Sequence, residues 1–154
     1  MKKILILLTL LCSLPVLAQQ RDSRVREYLS PTRIVWQQHS ELIKNGDKLL
    51  LPGNGQAELT DRALCKMTST SEEHPALLFD FGKELQGGIQ IVTGAFSNKS
   101  PIKMRVRFGE SVSEAMCEIE GKNGASNDHA IRDFVVTLPW LGVLEVGNSG
   151  FRFA

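Results

Sequence analysis

Apolar and polar residues alternate with a period of two over much of this chain, most clearly between Leu77 and Glu110. Leu77, Phe79 and Phe81 alternate with Leu78 and Asp80, and Gly82 ends the run. After the Gly87-Gly88 pair, Ile89 and Ile91 alternate with Gln90 and Val92. Ile102, Met104, Val106 and Phe108 then alternate with Lys103, Arg105 and Arg107. A period of two sends successive side chains to opposite faces of a pleated strand, one buried and one wet. Three strands are therefore predicted here, separated by turn chemistry at the glycines and at Asn98 to Pro101.

The same pattern marks shorter strands elsewhere. Arg33 to Gln38 and Asp47 to Pro52 precede the main stretch, and Gly53-Asn54-Gly55 reads as a turn. Arg132 to Leu138 resumes the alternation, Pro139 to Gly142 breaks it, and Val143 to Val146 continues it. Gly147 to Gly150 reads as another turn before Phe151-Arg152-Phe153. The pattern allows helical turns only near Asp61 to Cys65 and at Val112 to Met116. Many short strands predict an all-β, antiparallel β-sandwich of jelly-roll type. The chain stops one residue after Phe153, so the sandwich is expected to be incomplete at the C-terminus, with its last strand short and partly unpaired.

The first residues follow a different rule. Lys2 and Lys3 precede an apolar run from Ile4 to Leu11, and Val16-Leu17-Ala18 follows. This predicts a secretory signal peptide over 1–18, cut before Gln19. The run is too short for a membrane span. Residues 19–52 form a charged leader with the first short strands, and 53–154 the sandwich. The formal charge of +1 becomes −1 once the two lysines leave, which gives no general attraction for nucleic acid or anionic membrane. Export implies a periplasmic or extracellular location. Cys12 leaves with the signal, so Cys65 and Cys117 remain as a candidate disulfide.

Candidate chemistry is sparse. Asn127-Asp128-His129 is the most site-like cluster, because an Asp beside a His can orient an imidazole or hold a metal. The plainer reading is a loop end whose Asn and Asp bond their own backbone. Lys103, Arg105 and Arg107 make a basic row that reads as a solvated face. Trp36 and Trp140 have the ring to stack on a sugar or to fill a core. Glu84, Glu110 and Glu114 are carboxylates of the type glycosidases use in pairs, but nothing in the sequence sets two across a cleft. There is no phosphate loop, dinucleotide fingerprint or Gly-x-Ser-x-Gly.

Three segments carry a resemblance: Leu78-Phe79-Asp80-Phe81-Gly82 with Gly87-Gly88, then Arg105 to Glu110, then Gly150-Phe151-Arg152-Phe153 preceded by Asp133-Phe134. Together they resemble a non-catalytic β-sandwich of bacterial α-L-rhamnosidases, over roughly residues 77–154. The leader and signal are similar to those of exported polysaccharide-degrading bacterial proteins. The resemblance implies an N-terminal accessory sandwich truncated before an (α/α)6 catalytic barrel. It gives the phenylalanines of these segments a packing role and carries no catalytic residue over. It also implies two partners: a rhamnose-containing glycan reached through the parent protein, and a downstream domain of the same parent chain. Two other readings stand beside it. A free-standing carbohydrate-binding module would use Asn127, Asp128, His129 and Trp140, with an exposed aromatic platform or a Ca2+ loop near Asp128. A structural spacer would show only charged outer faces. No cofactor is implied.

Overall fold

The computed structural model describes residues 25–57, 59, 64–96, 100–118 and 132–154. The signal segment, Asn127, Asp128 and His129 lie outside the described residues. In chain order the elements are β1 (Arg33–Gln38), β2 (Ile43–Lys44), β3 (Lys66–Met67), β4 (Ala76–Thr93), β5 (Lys103–Arg107), α1 (Val112–Met116), β6 (Asp133–Thr137) and β7 (Gly142–Phe153). The protein is all-β, and its strand pairs are antiparallel. β4 lies between β1 and β7 in one sheet, while β2–β3 and β5–β6 are separate ladders. Jelly-roll closure is not among the pairings of the described residues.

Two ladders share one core. Phe81, Leu85, Ile89, Ile91, Leu144, Val146 and Phe151 from β4 and β7 pack with Met104, Val106, Phe108, Phe134 and Val136 from the β5–β6 side. Phe151 stands edge-on to Phe81 at 5.4 Å and tilted against Phe108 at 4.8 Å. A smaller cluster joins Leu78, Phe153 and Ala115, so α1 closes one end. Ser111 caps α1, its hydroxyl accepting from the backbone N–H of Glu114. Gly109 lies beneath it, where a Cβ would sit 2.4 Å from the Ala115 nitrogen.

The structure corrects the sequence reading at three places. Glycines predicted as turns instead lie inside two long strands. β4 runs 18 residues through Gly82 and Gly87-Gly88, and β7 runs 12 residues through Gly147 to Gly150. The register slips between Asp80 and Leu85, and again between Gly87 and Ile89, so the extra residues are absorbed as bulges. These glycines permit backbone contact: a Cβ on Gly88 would meet the Val146 carbonyl oxygen at 2.2 Å. Gly88→Ala is therefore expected to lower stability by about 1–3 kcal/mol, the usual cost of overpacking. Urea unfolding of both proteins checks this.

The second correction is local. Gly46–Leu50 is a 3-10 helix rather than part of a strand, entered through Asn45 in the left-handed region at φ 58°. The polar Asn45-Gly46-Asp47 start favours a tight turn over extension. Third, the end of β7 is paired. Gly109 bonds to Phe153 in both directions, and Ala154 does so with Phe79. The last strand is therefore not left unpaired as expected.

Cys65 and Cys117 are both half-buried free thiols, so the candidate disulfide is not formed. Burial, and then the charge of Asp47, push the Cys65 thiol up.

Candidate glycan-contact surface

The alternation of β4 and β7 determines which side chains face outward. Ile89 and Ile91 pair with Val146 and Leu144, and all four turn into the shared core. Period two therefore sends the intervening pairs, Gln90–Glu145 and Val92–Val143, to the opposite face. Two loops cover part of that face.

The first is the leader. Arg26 donates through Nη1 to both carboxylate oxygens of Glu145, at 3.2 and 3.0 Å. The Tyr28 hydroxyl donates to the same carboxylate at 3.3 Å. These groups are exposed, so the pairs position the leader more than they stabilise it. The second loop is Gly53-Asn54-Gly55. The Asn54 side-chain oxygen, Oδ1, accepts from the Gln56 backbone N–H at 2.9 Å, closing a tight turn. Gly55 has φ 69°, and a Cβ there would lie 3.4 Å from the Gln90 side-chain oxygen.

Between the loops and the sheet lies a cleft of about 310 Å³, lined by Tyr28, Gly53, Asn54, Gly55 and Gln90. Its size is at the lower end of small-ligand pockets. The lining combines the Tyr28 ring, the carboxamides of Gln90 and of Asn54, whose oxygen already accepts from Gln56, and glycine backbone. A saccharide offers complementary groups: a C–H face for the ring and hydroxyls for the amides.

Trp140 stands further along the same ladder. Gly142 pairs with Thr93, three positions beyond the Gln90–Glu145 pair, or roughly 10 Å along the strand. The turn that presents Trp140 is strained, with Leu141 held at φ 48°. Thr93 braces it by donating its hydroxyl to the Pro139 carbonyl at 2.6 Å. The indole N–H donates to the Phe96 carbonyl at 2.9 Å, yet 59% of the residue remains exposed. The structure thus leaves this predicted residue outside the core, while Trp36 is also partly exposed on β1.

The other candidates divide clearly. Of the basic row, Arg105 and Arg107 are bound to Glu118 and Asp133. Hydrogen bonds from Arg105, then Arg107, hold the Glu118 carboxyl down to about 2. Glu114 pairs with Arg132 and accepts from the Glu110 backbone N–H. Glu84 and Glu110 both approach Gly150: their carboxylate oxygens lie 4.0 and 3.5 Å from where a Gly150 Cβ would be, with the Gln86 oxygen at 3.8 Å.

The segments behind the resemblance also converge. Asp80 is buried, with two guanidinium groups bound to its carboxylate. Arg33 donates through Nε and Nη2 to Oδ2 at 3.0 and 2.8 Å. Arg152 donates to Oδ1 and Oδ2 at 2.8 and 3.1 Å, and the Gly82 backbone N–H to Oδ1 at 2.7 Å. The Asp-Phe-Gly and Gly-Phe-Arg-Phe segments therefore form one packing centre, with Gly109 bridged to Phe153 beside it.

Tyr28, Asn54, Gln90 and Glu145 were missed as site residues in the sequence. Gln90 between two isoleucines, and the Gly-Asn-Gly turn, were the available signals; Tyr28 lies in a charged segment without periodicity. Among the described residues, no helix is long and apolar enough to cross a membrane. Compared with known proteins, the chain matches no family model, no curated protein and no solved structure.

Proposed function

We propose that this chain is a non-catalytic accessory β-domain of an exported α-L-rhamnosidase-like glycoside hydrolase, contributing a glycan contact through the outer face of β4 and β7. One observation carries the reading. The segments that bear the resemblance are committed to packing around Asp80, while the cleft lined by Tyr28, Gly53, Asn54, Gly55 and Gln90 lies elsewhere. The aromatic–carboxamide lining, which carries no charged side chain, supports a neutral sugar as ligand. The exposed Trp140 favours a second reading, a free-standing carbohydrate-binding module with the same contact surface.

Affinity electrophoresis in gels containing a rhamnose-rich polysaccharide tests the contact. Retardation of the chain is expected, and a Tyr28→Ala/Gln90→Ala double variant should lose it. Unretarded migration of the parent protein would leave only the spacer role. The same preparation should release no aryl group from an aryl α-L-rhamnoside. Turnover above a buffer blank that vanished in Glu110→Gln would overturn the non-catalytic reading, because Glu84 and Glu110 both approach Gly150.

A further inference from the structure

We infer that His39, Glu41 and Glu73 form a binding site for a divalent transition-metal ion of the zinc class, separate from the glycan-contact surface. Two chain segments bring the three side chains together. β1 ends at Gln38, and His39 turns the chain at φ 50° into a 3-10 turn, Ser40–Leu42, which carries Glu41. Glu73 arrives from a second turn after β3. The Thr68 backbone N–H donates to the Leu42 carbonyl at 3.0 Å, fastening that turn to the first. Within it, Thr70 N–H donates to the Glu73 carbonyl and Glu73 N–H to the Thr70 hydroxyl, both at 2.9 Å. Both backbones are fixed, so only side-chain ends need to adjust.

The distances suit a shared ion better than direct pairing. His39 Nδ1 lies 3.4 Å from Glu41 Oε1 and 3.9 Å from Glu73 Oε1. Both exceed the usual 2.7–3.2 Å of a nitrogen–oxygen hydrogen bond. In a tetrahedral zinc site with arms of about 2.0–2.2 Å, neighbouring donor atoms lie about 3.3–3.5 Å apart. The His39–Glu41 pair already has that spacing, and Glu73 must close on His39 by about half an ångström while drawing to the same spacing from Glu41. All three donor atoms fall within 4.8 Å of one another.

The donor set selects the metal. An imidazole nitrogen with two carboxylates suits zinc and its neighbours, whereas Ca2+ and Mg2+ prefer oxygen-only shells with more ligands. Three protein donors leave a fourth position for water. The His39 side chain is 31% exposed and those of the glutamates 65% and 50%, so the site opens to solvent. A bound ion would clip the turn carrying Glu73 to the corner after β1, across the two-residue strands β2 and β3.

Isothermal titration with Zn2+ tests this in a Cys65→Ser/Cys117→Ser background, which removes the free thiols as competing ligands. One equivalent of Zn2+ is expected to bind, with no saturable binding of Ca2+. His39→Asn keeps a residue that tolerates the left-handed turn and removes the imidazole. It and Glu73→Gln should each weaken binding at least about tenfold. His74→Ala should leave binding unchanged, since its Nδ1 is already engaged by the Ser69 hydroxyl at 2.7 Å. No saturable Zn2+ binding, or an isotherm that His39→Asn leaves unchanged, would overturn the proposal. If circular dichroism shows His39→Asn to be unfolded, the Glu41→Gln/Glu73→Gln variant decides on the same criteria.

Discussion

Phe151→Ala is expected to lower the unfolding free energy by about 3–5 kcal/mol. The ring is 1% exposed and contacts both halves of the main core, edge-on to Phe81 of β4 and tilted against Phe108 after β5. Removing it deletes apolar burial from both ladders at once. The cavity cannot close by moving β7, because Leu85 and Gln86 pair with Phe151 and Gly150. Domains of this size have only about 5–15 kcal/mol of stability in total. The variant should therefore unfold at much lower urea than the parent, with a similar slope. A loss under about 1 kcal/mol would show that the two ladders do not share this core in solution.

The second large effect concerns Asp80. Its side chain is 2% exposed, while those of Arg33 and Arg152 are 64% and 39% exposed. The hydrogen bonds from Arg152, then Gly82, with those from Arg33, hold its carboxyl far below the ordinary carboxylate range. The lowered value fixes the sign of the pH dependence. Stability from Asp80 is full above the unfolded-state value of about 3.9 and is lost as pH falls from there toward the lower folded-state value. The parent should therefore lose stability progressively on acidification below about pH 4. Asp80→Asn keeps the shape but removes the charge both guanidiniums share, so it should be far less stable at pH 7 than either Arg33→Ala or Arg152→Ala. Its acid limb should also be shallower than the parent's. Chemical denaturation at a series of pH values distinguishes these outcomes, and an unchanged acid limb would show that Asp80 is not the responsible group.

Local chemistry made some elements legible. β1 was read at its observed bounds, because Arg33 to Gln38 follows a proline and lacks competing turn residues. The helical turn at Val112–Met116 was legible from its polar start, where Ser111 caps. What misled was glycine. At Gly82 and Gly147 the backbone does adopt positive φ, as in a turn, but the chain stays extended because a partner strand absorbs the extra residues. Only the identity of the partner distinguishes a bulge from a turn, and that information lies some 60 residues away along the chain. The contact surface was hidden for the same reason. Tyr28 and Glu145 are 117 positions apart, and no local pattern joins them.

The pairing of β4 with β7 also bears on how the chain reaches its native state. Every partner of β4 in that ladder lies at Gly142 or later, while β4 itself begins at Ala76. Ile89 and Ile91 pair with Val146 and Leu144, more than 50 residues further along the chain. Until that pairing forms, β4 is a long strand with one edge open and an apolar face exposed, a species prone to associate with other chains. Long-range closure of this kind belongs to the slower range of small-domain folding, milliseconds to seconds. The chain is therefore expected to pass through its most aggregation-prone interval before β7 pairs with β4.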